Sequence, residues 1–272
     1  MSITPLLESY ERTTFTHDGK TRDVFRKGTG PAVIVMAEMP GISPKVLEFA
    51  DRVAAIGCTA VVPHLFGIPG YDVEAVSRPA AARYMLSSIA PACVSREFAT
   101  FASGRTSPVV DWLRALARAE HERCGGPGVG AIGMCFTGGY ALAMATDDRL
   151  LAPVLSQPSM PMAFGKKSRY SIDCSRADLD RVKARCDADG LKVLGLRFKG
   201  DRFVPAERFQ LLRDELGDGF IGVELDDSSA NPAAAMKNPH SVVTEHLIDE
   251  PGQPTRAALD QVLDLFRTRL LT

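Results

Sequence analysis

Short apolar runs without polar alternation recur along the chain, separated by longer segments in which apolar positions return at helical spacing. The plainest run is Ala32-Val33-Ile34-Val35-Met36-Ala37. A β-branched run with no polar face predicts a strand covered on both sides, as in a parallel sheet. Pro40-Gly41 breaks it. Ser43 then offers an N-cap with Pro44 at the first helical position, and a helix is expected to about Ile56, ended by Gly57. The next buried strand is 59–62, closed by Pro63. The rhythm repeats with a helix over 107–123, a strand over 129–134 and a helix over 137–145. It continues with a strand over 150–155, a charged helix over 176–189 and a strand over 192–198. A helix over 205–216, a strand over 220–225 and a closing amphipathic helix over 255–271 complete it. Alternation sustained over this length predicts an α/β fold with a mostly parallel sheet and helices on both faces. At the start, 12–17 and 21–27 flank His17-Asp18-Gly19-Lys20, and Asp-Gly between strand-like runs predicts an antiparallel hairpin at the sheet edge.

Two stretches break the rhythm. Residues 67–104 hold no strand pattern and suggest several short helices, and 157–170 is rich in Pro, Ser and Lys. Long excursions in an α/β domain are commonly lids or binding loops. The expected organisation is one domain over 1–272, with lid-like excursions around 67–104 and 157–190.

Composition narrows the classes of partner. A 272-residue chain with 45% hydrophobic and 24% charged residues has ample material for one large core. A net charge of -1 gives no basic surface for nucleic acid or an anionic membrane, so neither is expected as a partner. No apolar run reaches the length of a membrane span, and the N-terminus lacks the features of a secretory signal. Cys58, Cys93, Cys124, Cys135, Cys174 and Cys186 are scattered, without a C-x-x-C pair. That pattern predicts reduced thiols rather than a disulfide frame or a zinc site. A cytoplasmic protein, monomer or small homo-oligomer, is expected.

The chemistry concentrates in Gly128-Val-Gly-Ala-Ile-Gly133-Met134-Cys135-Phe136-Thr137-Gly138-Gly139. A buried strand runs straight into a helix with Cys135 at the turn and small residues around it. That is the make-up of a nucleophile elbow, in which a strained backbone lifts the reactive atom above the sheet. The start of the following helix favours negative charge, hence a thiolate, and offers the Phe136 amide to an oxyanion. Thr137 stands where the usual pattern has a final glycine. The plain alternative is a small buried cysteine after a strand.

A thiol nucleophile needs a base and a group to orient it. Asp201 lies on a Gly turn just past the strand 192–198, and in chain order nucleophile, acid, histidine it suits the orienting role. The plain alternative is a solvated turn aspartate. Of five histidines, His240 lies in a turn after the last strand, where the base belongs, with His246 as its rival. His64 sits near the carboxyl edge of the sheet and is expected to line the pocket, while His17 and His121 lie elsewhere. The loop after the first parallel strand supplies the second oxyanion amide, here Met39, and places Glu38 near the thiol.

Glu38-Met39, Pro63-His64-Leu65-Phe66, Gly133-Met-Cys135-Phe-Thr-Gly-Gly139, Gly200-Asp201, Val204-Pro205 and His240-Ser241 together resemble the dienelactone hydrolase family of α/β-hydrolases. The resemblance covers most of the chain and implies that fold, with a triad of Cys135, His240 and Asp201. It also implies a Glu38 that holds the resting thiol, and an oxyanion hole made by Phe136 and Met39. The implied reaction is hydrolysis of a small ester or lactone without metal or organic cofactor. The family's named substrates carry a carboxylate gripped by arginine. No arginine follows His240 in Ser241-Val-Val-Thr-Glu245, so Arg83 or Arg105 is the expected stand-in. A thioesterase or general carboxylesterase on the same triad is the alternative, and a non-catalytic small-molecule binder is the third reading.

Overall fold

The computed structural model describes residues 3–98 and 103–272. Eight strands form one sheet: β1 (Glu11–His17), β2 (Lys20–Gly28), β3 (Ala32–Met36), β4 (Thr59–Pro63), β5 (Val129–Met134), β6 (Leu150–Ser156), β7 (Val193–Phe198) and β8 (Phe220–Leu225). Their spatial order is β1-β2-β4-β3-β5-β6-β7-β8. β2 pairs antiparallel with both β1 and β4, and every pairing beyond β4 is parallel. The expected hairpin is present, with Asp18 at φ 47 and Gly19 at φ 70.

Alternation within the strands explains their unbroken apolar composition. Ala32, Ile34 and Met36 of β3 enter one core, and Val33 and Val35 enter the other. Each buried Val or Ile contributes roughly 1.5–3 kcal/mol, so a strand with two covered faces gains on both. The first core is covered by α3 (Val109–Cys124), α4 (Tyr140–Met144), α6 (Arg176–Asp189) and α7 (Ala206–Leu216). The second lies under α1 (Pro44–Ala55) and α8 (Pro254–Leu270). Ser43 caps α1 by accepting from the Val46 amide, with Pro44 in the first turn as expected.

Two expectations are corrected. The excursion 67–104 is not a series of short helices: its described part holds one 17-residue helix, α2 (Arg78–Val94), and a lone bridge from Tyr71 to Ile3. Residues 99–102 of that excursion lie outside the described residues. Only Tyr84, Ser88 and Ala92 of α2 are buried, so no wide apolar stripe marks the helix in the sequence. The helix expected over 137–145 is divided into a 3-10 turn, Cys135–Thr137, and α4. The Cys135 carbonyl accepts the Gly138 N–H at 3.0 Å, which closes that first turn tightly. The second excursion holds α5 (Lys166–Arg169) and then α6. Among the described residues no helix is long and apolar enough to cross a membrane.

Candidate active site

At the end of β5 the chain bends so sharply that Cys135 takes φ 52, a left-handed conformation that costs a residue with a Cβ about 1–2 kcal/mol. Gly133 permits the bend, since a Cβ there would lie 2.1 Å from the Thr137 carbonyl oxygen. At Gly138 a Cβ would lie 2.4 Å from Pro158 Cα, so the loop after β6 is pressed against the elbow. Thr137 ties the bend down. Its buried hydroxyl accepts from the Met134 N–H at 2.9 Å and donates to the Met36 carbonyl at 3.0 Å. The residue that departs from glycine therefore links the elbow to the end of β3, from which Glu38 and Met39 continue.

Cys135 Sγ is half-buried and lies 3.4 Å from Ser159 Oγ. The Ser159 N–H also donates to the Cys135 carbonyl at 3.0 Å. Among the described residues the Met39 N–H has no backbone partner, and neither does the Phe136 N–H, early in a helical turn. Both are free to meet developing negative charge.

Asp201 and His240 come together from loops after β7 and β8. Asp201 Oδ1 accepts the Phe203 N–H at 2.8 Å, and Oδ2 lies 2.6 Å from His240 Nδ1. That contact sets Nδ1 as the donor and leaves Nε2, buried and without a hydrogen-bond partner among the described residues, available for other chemistry. Burial pulls the His240 pKa down. The negative charge of Cys135 and the bond to Asp201 outweigh burial and hold the imidazole well above its ordinary value. Phe203 packs edge-on against the ring at 5.4 Å.

Other expected residues have different work. Glu38 is 4% exposed, yet its carboxylate makes no hydrogen bond to the sulfur. It accepts instead from the Ser241 and Thr244 hydroxyls and, at 3.3 Å, from Gln157 Nε2. Three donors satisfy the carboxylate, which anchors the loop that carries His240; the expected bond to the thiol is corrected to Ser159. His64 Nε2 is 3.0 Å from the Gly67 carbonyl and braces its own loop. His246 Nδ1 accepts the Ser241 N–H at 3.2 Å, and burial lowers its pKa. Arg83 and Arg105 are exposed and make no hydrogen bond or ion pair with any of these residues.

Ser159, Gln157 and Arg208 escaped the sequence reading. Arg208, on α7, is fully buried, and among the described residues no carboxylate is bonded to it. Its guanidinium donates to the carbonyls of Ser171, Pro158, Pro161 and Ser168 at 2.6, 2.7, 2.6 and 3.0 Å. Burial brings its pKa down to about 10, against the pull of Asp201 and Asp173, so it remains a cation at neutral pH. One side chain thereby holds the loop on both sides of Ser159.

A cleft of about 410 Å³ lies between α2 and the segment after β4, lined by Leu65, Phe66, Tyr84, Ser88, Ala92 and Phe98 among others. No described lining residue is charged. The Phe66 and Phe98 rings meet that of Phe136 at 5.6 and 5.4 Å, which joins the cleft to the elbow. The Tyr84 hydroxyl donates to the Pro40 carbonyl at 3.3 Å and joins it to the Met39 loop. A larger hollow of about 880 Å³ around Trp112 and Arg114 contains none of these site residues.

A sequence model of the dienelactone hydrolase family matches residues 22–192. None of the curated proteins matches the chain. Among solved structures, the chain is similar to a dienelactone hydrolase-like promiscuous phosphotriesterase from metagenomic libraries. Identity is 18%, coverage 96% of this chain and 98% of that one, and the TM-score 0.58. A cold-adapted esterase from an Arctic intertidal metagenomic library is 16% identical, with 99% and 100% coverage and a TM-score of 0.53. The thioesterase domain from the curacin biosynthetic pathway is 12% identical, with 94% and 99% coverage and a TM-score of 0.55. At these identities the likeness is one of fold, the α/β-hydrolase fold.

Proposed function

The chain belongs to the dienelactone hydrolase family, and from that premise we propose that it cleaves an ester or lactone bond of a small molecule with Cys135 as nucleophile, His240 as acid and base, and Asp201 as the group that orients the imidazole. The observation that carries this reading is the 2.6 Å contact between Asp201 Oδ2 and His240 Nδ1, on a ring whose proton affinity the Cys135 charge raises.

The elevated His240 pKa favours an imidazolium beside a thiolate. The thiolate attacks the substrate carbonyl carbon, forming the C–S bond, and the carbonyl oxygen becomes an oxyanion that accepts from the Phe136 and Met39 N–H groups. Collapse breaks the C–O bond, and His240 passes its proton to the leaving oxygen. The sulfur is now a neutral thioester, so the foremost influence holding the proton on His240 disappears. The imidazole pKa falls, and the ring can take a proton from the water that attacks the thioester. A second collapse frees the acid and restores thiolate and imidazolium. The cycle changes the base strength of His240 at the step that needs a base.

The uncharged cleft beside Phe136 favours neutral apolar groups over a carboxylate-bearing lactone. It therefore also supports a second reading, a general carboxylesterase or thioesterase on the same three residues. Kinetics with a dienelactone, a p-nitrophenyl ester and an acyl thioester, run side by side, separate the two. Turnover of at least one, lost by about 10⁴-fold or more in Cys135→Ala, is expected. Hydrolysis that survives Cys135→Ala contradicts the assignment, and wild-type binding without turnover of any substrate identifies a non-catalytic binder.

A further inference from the structure

We propose that Ser159 is a further catalytic residue, the hydroxyl that donates to the Cys135 thiolate and holds it ready, in the place where the Glu38 carboxylate was expected. The inference rests on the reading of Cys135 as the nucleophile.

The Ser159 hydroxyl is buried at 5% exposure, and its only hydrogen-bond partner among the described residues is Cys135 Sγ. Beside a thiolate, which has no proton and can only accept, the hydroxyl is the donor of this pair. Its oxygen is fixed by two further observations. The Ser159 N–H is bonded to the carbonyl of Cys135 itself, so serine and cysteine cannot drift apart without breaking a backbone bond. The flanking carbonyls of Pro158 and Pro161 are both held by Arg208, which keeps its charge at neutral pH.

A hydroxyl suits this position better than a carboxylate. It stabilises a thiolate without bringing a second negative charge, which would oppose ionisation of the sulfur. Glu38 meanwhile is occupied by Ser241, Thr244 and Gln157. When the sulfur attacks a carbonyl and loses its charge, the Ser159 hydroxyl bond weakens and no proton is transferred. The serine lends stability to the thiolate and takes no part in the proton balance carried by His240.

The test is alkylation of Cys135 by iodoacetamide, read by mass spectrometry of the Cys135 peptide, in wild type and Ser159→Ala. Ser159→Ala keeps the backbone bond to the Cys135 carbonyl. Its expected rate near pH 6.5 is about tenfold lower, with the plateau at high pH retained. Ser159→Thr and Ser159→Val form a shape-matched pair that makes the same comparison should the alanine variant be unstable. Thr is expected to react about tenfold faster than Val near pH 6.5. Superimposable rates, Ala with wild type or Thr with Val, overturn the proposal. Alkylation needs no substrate, so a wild type that hydrolyses no ester would sink the proposed reaction and leave this result standing.

Discussion

Two polar clusters flank the sulfur and imidazole, and they are built with opposite charge. Behind His240, the loop bearing Ser241 and Thr244 is drawn onto Glu38, with Glu245 nearby accepting from Ser43 at 3.4 Å. Beside Cys135, the loop bearing Ser159 is drawn onto Arg208 through four carbonyls. Each cluster holds one of the proposed catalytic side chains in place. The acid-centred one can lose or gain protons near neutrality, because burial, with the Glu38 and Glu74 charges, raises the Glu245 pKa to about 7. The cation-centred one cannot, since Arg208 keeps its proton up to about pH 10. The site therefore has one anchor that responds to pH and one that does not.

The largest effect expected from breaking either anchor is that of Arg208→Met. It leaves four carbonyls without a donor and should cost about 3 kcal/mol or more. Calorimetry should show an unfolding midpoint lower by roughly 6–12 °C. An unchanged midpoint would mean that the loop is held by something else. Glu38→Ala comes next, at about 2–3 kcal/mol, because the hydroxyls of Ser241 and Thr244 and the amide of Gln157 lose their acceptor. Steady-state kinetics should show kcat falling more than KM rises, as befits a residue that orients His240 and does not touch substrate. A rise confined to KM would place Glu38 against the substrate instead.

Thr137→Val matches the shape and removes the hydroxyl that joins the elbow to β3. A loss of about 1–2 kcal/mol is expected in denaturant unfolding, since the Met134 N–H and Met36 carbonyl each lose a partner. The smallest effect, on the order of 1 kcal/mol, is the pH dependence carried by Glu245. In the folded protein its carboxyl keeps a proton up to about pH 7, whereas the unfolded chain releases it near the ordinary value of 4.5. Wild-type stability is therefore lost as pH rises through that window. Glu245→Gln, which cannot ionise, should gain on wild type between pH 5 and pH 8 in thermal unfolding. A constant difference across that range would contradict the raised pKa.

How much of this was legible in the sequence depended on whether position alone implied the contact. The central strands were readable because two covered faces leave no room for polar alternation, and Cys135, Asp201 and His240 followed from their places after β5, β7 and β8. Met39 and Phe136 were expected on the same grounds, as the amides that follow β3 and the elbow. Glu38 was read as lying near the thiol, but its partners, Ser241 and Thr244, sit more than 200 residues away, beyond any local pattern. Arg208 sits on a helix with Glu207, Arg213 and Asp214 and reads as part of a solvated face. Only the tertiary path of 158–171 turns it inward. Ser159 lies in a segment without periodicity, and α2 was fragmented in expectation because its buried positions are too few to form a stripe.

The most direct test is the mass of the protein quenched during turnover of a p-nitrophenyl ester, followed by peptide mapping. The account predicts a transient adduct of one acyl group on Cys135, prolonged in His240→Ala, where no imidazole remains to activate water. An acyl group on any other residue, or sustained hydrolysis with Cys135 unmodified throughout, would contradict it.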